Sequence, residues 1–183
     1  GGELAPLARL SAQHQAALAF LRDERDRVGA VSLMLGGNDL FGLVVACAGD
    51  LEAPVDPGPC VDANLEAFID GQVRLHVNTV REIRSVVPEA IVLVHLEADI
   101  LSPQSGLLLD AYYDASRVVE EYNASVSAAV RRAGAFAVDF NRPFTRTRAS
   151  LCRYTGLCGV DADGQPDPDG HPSDAGYAKI AEL

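Results

Sequence analysis

The sequence predicts one α/β domain over residues 1–183, with a parallel sheet covered by helices on both faces. Three observations carry this expectation. Short apolar runs alternate with long amphipathic segments, no stretch is long enough to act as a linker between two domains, and no segment repeats. Strands separated by helical crossovers run parallel, because each crossover returns the chain to the end of the sheet where the previous strand began.

Taken in order, Ala17, Leu18 and Leu21 recur at helical spacing between Leu10 and Val28, among Arg, Asp and Glu. Ala30-Val-Ser-Leu-Met-Leu35 is an apolar run stopped by two glycines, the pattern of a strand buried on both faces. From Asp62 to Val87 one stripe carries Leu65, Phe68, Ile69, Val73, Val77, Val80, Ile83 and Val87, and Pro88 ends the helix. Ile91-Val-Leu-Val-His-Leu96 forms a second strand. A third helix runs from Asp110 to Arg132 through Tyr113, Val118, Tyr122, Val126 and Val130, with Gly134 as its stop. Ala135-Phe-Ala-Val-Asp-Phe140 is the third strand. An irregular stretch rich in Gly, Pro and Asp then leads from Gly156 to Gly170, and a last helix starts near Pro172. Three strands make a small sheet, and a leading helix has no strand to cross over from. An N-terminal piece, with the first strand or strands of the sheet, is therefore expected to be absent.

Charge narrows the function. Lys and Arg number 15 against 26 Asp and Glu, a net charge of −11, which repels nucleic-acid backbones and anionic lipid surfaces alike. The most apolar stretch, Val31 to Ala48, is interrupted by Gly36-Gly37-Asn38-Asp39, so no transmembrane segment is expected. Four cysteines fall in two local pairs, Cys47/Cys60 and Cys152/Cys158, with no C-x2-C and no nearby histidine to suggest zinc. Two small disulfide loops in an oxidising compartment fit this spacing, and four reduced thiols are the competing reading. The chain opens Gly1-Gly2-Glu3, so an export signal would have been removed or lie outside this sequence.

Ligands of parallel α/β sheets bind beyond the carboxyl ends of the strands. Gly36-Gly37-Asn38-Asp39 follows the first strand directly; its glycines permit a tight turn and Asn38 offers an amide donor, although a plain turn uses the same residues. A second polar cluster, Asp167 to Tyr177, stands at the mouth of the last helix. There Pro172 suits a first helical turn and would fix His171, while Asp169 can accept from one ring nitrogen and leave the other free for a proton. Asp39 is expected to cap the following turn, His95 to be a core histidine, His14 and His76 to lie on helix surfaces, and Asp139 to make a turn. Asn123-Ala-Ser125 matches a glycosylation acceptor but sits in mid-helix.

Gly36-x-Asn38-Asp39 after a buried strand, followed far downstream by Asp-x-His171-Pro-x-x-x-Gly176-Tyr177, resembles the SGNH (GDSL-type) hydrolases, and among them the secreted actinobacterial esterases and lipases. Val31 to Leu40, the two cysteine pairs and Gly134-Ala-Phe-Ala-Val-Asp139 extend the resemblance over nearly the whole chain. It implies a flavodoxin-like three-layer α/β/α sandwich and ester hydrolysis through an acyl-enzyme, with no metal or organic cofactor. His171 would be the base and Asn38 an oxyanion donor on the Gly36-Gly37 loop. The implied partner is a small-molecule or lipid ester, and the implied protein is a secreted monomer. Pro168 stands where the commoner family pattern has the acid, so Asp169 takes that role, with Asp167 or a backbone carbonyl as alternatives.

The family's Gly-Asp-Ser nucleophile block does not occur: the one Gly-Asp pair is Gly49-Asp50, followed by Leu51. The chain is thus expected to be an esterase fragment, catalytically dead and poorly stable alone. A carbohydrate acetylesterase of the same superfamily and a non-catalytic flavodoxin-like binding module are the alternatives.

Overall fold

A computed structural model describes residues 7–49, 55–100, 115–165 and 169–183. Its elements are α1 (Leu7–Asp23), β1 (Ala30–Met34), α2 (Gly37–Ala48), α3 (Gly58–Val86), β2 (Ile91–His95), α4 (Ser116–Arg132), β3 (Phe136–Val138), α5 (Asn141–Thr145), α6 (Arg148–Tyr154), β4 (Thr155–Gly156), β5 (Asp169–Pro172) and α7 (Asp174–Ala181). The sheet has the order β1-β2-β3 and is parallel throughout, with Ala30 opposite Ile91 and Leu93 opposite Phe136. The three strands and the helices α1 and α3 stand where the hydrophobic rhythm put them; α4 starts at Ser116, and the expected helical residues 110–114, with Tyr113, lie outside the described residues.

One face of the sheet builds the core. Val92 and Val94 point into it fully buried, against Val61 and Val80 of α3 and Val118, Val126 and Val130 of α4. Leu18 and Leu21 of α1 and Leu40, Leu43 and Val44 of α2 complete the same cluster. Side chains alternate across a strand, so Ser32, Leu93 and His95 face the other way. On that side the chain returns after β3: the Phe140 ring lies 6.2 Å from His95 and 5.0 Å from Phe144 of α5, which stacks on Tyr154 of α6. Helices therefore flank the sheet on both faces, the α/β/α layering of a flavodoxin-like sandwich.

The first strand departs from expectation. It is not buried on both faces but alternates, and the outer face of the sheet leaves Met34 45%, Ile91 51% and Phe136 63% exposed. Among the described residues no helix covers this part of the sheet, and no strand pairs with the outer edge of β1.

Other differences have local causes. Helix α2 occupies residues that carry no helical stripe, being apolar on nearly every side. Helix α3 begins at Gly58, four residues before the first acid of its predicted stripe. The Gly-, Pro- and Asp-rich stretch holds a two-stranded antiparallel ribbon, β4 with β5, and Pro172 belongs to that ribbon rather than to α7. Both cysteine pairs are disulfides: Cys47–Cys60 ties the end of α2 to the start of α3, and Cys152–Cys158 closes a tight loop around β4. Among the described residues no helix is long and apolar enough to cross a membrane.

Candidate active site

The carboxyl ends of three parallel strands lie along one edge, and the chain leaving each strand there is polar. After β1 the backbone must reverse within two residues to start α2. Gly36 does so at φ 97°, a left-handed conformation in which a Cβ would also collide with the Tyr122 hydroxyl. A Cβ on Gly37 would strike the Glu97 carboxylate. Asn38 then falls in the first turn of α2, where backbone N–H groups have no intrahelical acceptor, and its side chain is exposed. An amide side chain beside free N–H groups at a helix start is chemically suited to an oxyanion.

Asp39 does not cap this turn. It points inward and accepts from Gln72 Nε2 at 3.0 Å. Gln72 opens a buried polar layer beneath the turn that the sequence concealed. His76 is 1% exposed rather than on the surface, because α3 presents Gln72, His76 and Thr79 inward beside its apolar stripe. Its Nδ1 donates to the Gln72 carbonyl at 2.8 Å, and burial lowers its pKa, keeping the ring neutral. The Tyr122 hydroxyl donates to the Leu35 carbonyl at 3.2 Å. Asn123 grips the peptide of Glu97 from both sides, accepting from its N–H at 2.9 Å and donating to its carbonyl at 2.8 Å. That buried role leaves no place for a glycan in the folded chain. Burial pushes the Glu97 carboxyl up to about 7, against a smaller opposing effect of the Gly37 N–H, and the negative Asp39 adds to the rise. Buried acids leave no sequence signature, which is why Glu97 escaped notice.

His95 is the core histidine expected: its Nε2 lies 2.7 Å from Ser32 Oγ, and burial lowers its pKa. His14 pairs with Glu82 across α1 and α3. Asp139 makes the expected turn, accepting from the Asn141 N–H at 2.9 Å.

His171 lies on β5, held by cross-strand pairing of Pro172 with Thr155 and of Asp169 with Gly156. Helix α7 starts only after Ser173, whose hydroxyl accepts from the Gly176 N–H at 3.2 Å and donates to the Arg153 carbonyl at 2.7 Å. This double use of Ser173 fixes the residues just before it. Asp169 Oδ1 accepts from the His171 backbone N–H at 3.0 Å and from ring Nδ1 at 2.5 Å. Those two hydrogen bonds, the backbone one first, hold the Asp169 carboxyl below its ordinary pKa. With Nδ1 so engaged, Nε2 is free to take a proton. Both side chains are open to solvent, at 74% and 62% exposure. Asp167 and Pro168 lie outside the described residues.

Gly170 backs onto Ile100, a Cβ there standing 2.7 Å from the Ile100 Cδ1, so β5 runs beside the chain leaving the carboxyl end of β2. Asn38 stands at the start of α2, which follows β1. No hydrogen bond joins the Asn38 and His171 side chains among the described residues. Two cavities of about 520 and 530 Å³ lie elsewhere, one between α3 and α4 beside Asp62, Glu66 and Arg117, the other against Phe136 and Ala137. No cluster of His, Cys, Asp and Glu suited to a metal occurs among the described residues.

Fold and edge together define a three-layer α/β protein whose polar side chains gather beyond the carboxyl ends of a parallel sheet. The chain belongs to the GDSL-like lipase/acylhydrolase family, whose model matches residues 3–179. No curated protein matches this sequence. Among solved structures it is similar to phospholipase A1 from Streptomyces albidoflavus NA297, with a TM-score of 0.59 and 18% identity over 90% of this chain and 75% of that one. It is also similar to the extracellular lipase from Streptomyces rimosus, with a TM-score of 0.56 and 18% identity over 92% of this chain and 75% of that one. Family membership makes the chain part of an ester-cleaving acylhydrolase lineage.

Proposed function

We propose that this chain carries the proton-transfer and oxyanion groups of a secreted serine ester hydrolase. His171 Nε2 takes the proton of a serine hydroxyl as its oxygen attacks the ester carbonyl. The oxyanion that forms is met by the Asn38 amide and the free N–H groups of the first turn of α2. As the tetrahedral intermediate collapses, the bond to the alcohol breaks and His171 returns the proton to the departing oxygen. Water then repeats the sequence on the acyl-enzyme and releases the acid. Asp169 orients the imidazole and stabilises its charged form. The observation that carries this reading is the His171–Asp169 pair, with Nδ1 engaged and Nε2 open on a strand fixed at both ends.

The attacking serine is proposed to come from a segment outside these 183 residues. Several serines here are committed elsewhere: Ser32 to His95, Ser85 to the Glu82 carbonyl, Ser150 to Thr147 and Ser173 to the start of α7. The outer edge of β1, with which no strand pairs among the described residues, fits a sheet that continues past β1. The substrates are carboxylic esters of lipids or small alcohols, with no metal required. Two disulfides suit an extracellular setting.

Hydrolysis of p-nitrophenyl acetate tests the proposal. The 183-residue chain should show no turnover above the solvent rate. Turnover abolished by changing one of its own serines would overturn the proposed origin of the nucleophile.

A further inference from the structure

Gln72 takes no part in the proton transfers above, yet it is 9% exposed on the buried stripe of α3, between Leu65 and Val80. An apolar side chain would suit that stripe better. A buried amide costs free energy for each polar atom left unpaired, and Gln72 Oε1 has no hydrogen-bond partner among the described residues. What the amide gains is one contact. Its Nε2 donates to Asp39 Oδ2 at 3.0 Å, joining the middle of α3 to the first turn of α2, 33 residues earlier in sequence. A hydrogen bond to a carboxylate is roughly twice as strong as one between neutral groups.

The turn around Asn38 is held at two points. On its strand side, the Tyr122 hydroxyl of α4 donates to the Leu35 carbonyl at 3.2 Å, and Gly36 lies so close to that hydroxyl that a Cβ would collide with it. On its helix side the hold is Asp39, since no side chain caps the start of α2. Packing of Leu40, Leu43 and Val44 seats the helix, but apolar contact is non-directional and fixes rotation about the helix axis only loosely. A directional bond to Asp39 fixes that rotation. With Asp39 drawn inward, Asn38 stands about 100° round the helix and faces out.

Resting on the reading of Asn38 as an oxyanion donor, we propose that Gln72 is a positioning residue: its amide holds Asp39 and so sets the bearing of the neighbouring Asn38 side chain.

Amide hydrogen exchange of the 183-residue chain reads the clamp directly. The first helical bond of α2 runs from the Leu40 N–H to the Gly36 carbonyl, at 2.8 Å. Gln72→Leu should speed exchange at Leu40 by about tenfold or more while the amides of β2 and α4 keep their protection. Swapping the two groups, Asp39→Asn together with Gln72→Glu, puts the donor on α2 and the acceptor on α3, and should restore most of the protection. If Gln72→Leu unfolds the chain, Asp39→Ala breaks the same bond from its other end. Unchanged exchange at Leu40, a rise shared equally by β2 and α4, or no recovery in the swapped pair would overturn the clamp.

Hydrolysis of p-nitrophenyl acetate, with the serine supplied by a preceding Gly-Asp-Ser strand, reads the positioning. Gln72→Leu should lower kcat by about tenfold or more with KM little changed, and the swapped pair should regain it. Faster exchange at Leu40 with an unchanged kcat would overturn the positioning role. Full activity of Asn38→Ala would instead discard the oxyanion donor, a failure of the underlying reading that the exchange at Leu40 separates from the hold of Gln72 on the turn.

Discussion

At the scale of single residues, the site divides into groups that advertise themselves and groups that do not. Asn38, Asp169 and His171 stand out in sequence because each sits where a strand or helix begins or ends, near glycine or proline, although Asn38 taken alone reads equally as a plain turn. Glu97 and His76 are hidden, since an acid and a histidine on amphipathic or apolar segments look the same in sequence whether they face water or the interior. The partners of Glu97 come from far along the chain, as with Asn123, 26 residues away. The cost of burying Glu97 has a measurable sign. Its carboxyl titrates near 7 in the fold, whereas an unfolded chain releases the same proton near the ordinary glutamate value. Between these values the folded state holds a proton that the unfolded state has lost. Stability from this group is full at and below about pH 4.5, declines as the pH rises to 7, and is flat above that. The decline should approach about 3 kcal/mol as an upper bound. Urea denaturation across this range should show it, and Glu97→Gln should remove that component of the slope; an unaltered slope in Glu97→Gln would contradict the buried titration.

At the scale of elements, strands and long helices follow from periodicity, and the exceptions are informative. Helix α2 leaves no amphipathic contrast in sequence because GNDLFGLVVACA is apolar almost all round, although only Leu40, Leu43, Val44 and Ala48 are buried and Phe41 is 40% exposed. The β4–β5 ribbon is too short for any alternation to register. Ser173 rather than Pro172 marks the start of α7, because its side chain reaches the Gly176 N–H, and that puts His171 on a strand instead of in a helical turn. The junction of α2 with α3 depends on a covalent tie. Cys47–Cys60 spans a sequence separation of 13, and closing a loop of this size stabilises a fold by roughly 3 kcal/mol. Reducing the disulfides, or replacing Cys47 and Cys60 by serine, should lower the denaturation midpoint accordingly. A midpoint that does not move would show that helix packing alone holds the two elements together.

At the scale of the whole molecule, an acidic chain of alternating apolar runs and amphipathic segments was enough to give a parallel α/β layering, and the two polar clusters were enough to give the family. What the sequence concealed is the asymmetry of the sheet: Val92 and Val94 are fully buried, while Met34, Ile91 and Phe136 on the opposite face stand open. Apolar runs look alike whether one face or two is covered, so β1 read as a doubly buried strand. Asn38 follows β1 and His171 lies on β5, 133 positions apart in sequence (171 − 38), and the proposed function needs both at one edge of the sheet. The most direct test is steady-state hydrolysis of p-nitrophenyl acetate by a polypeptide in which a Gly-Asp-Ser strand precedes this chain. If both groups act as proposed, His171→Ala lowers kcat by about 10²–10⁴ and Asn38→Ala by about 10²–10³, with KM little changed in either. Full turnover in either variant would contradict the proposal.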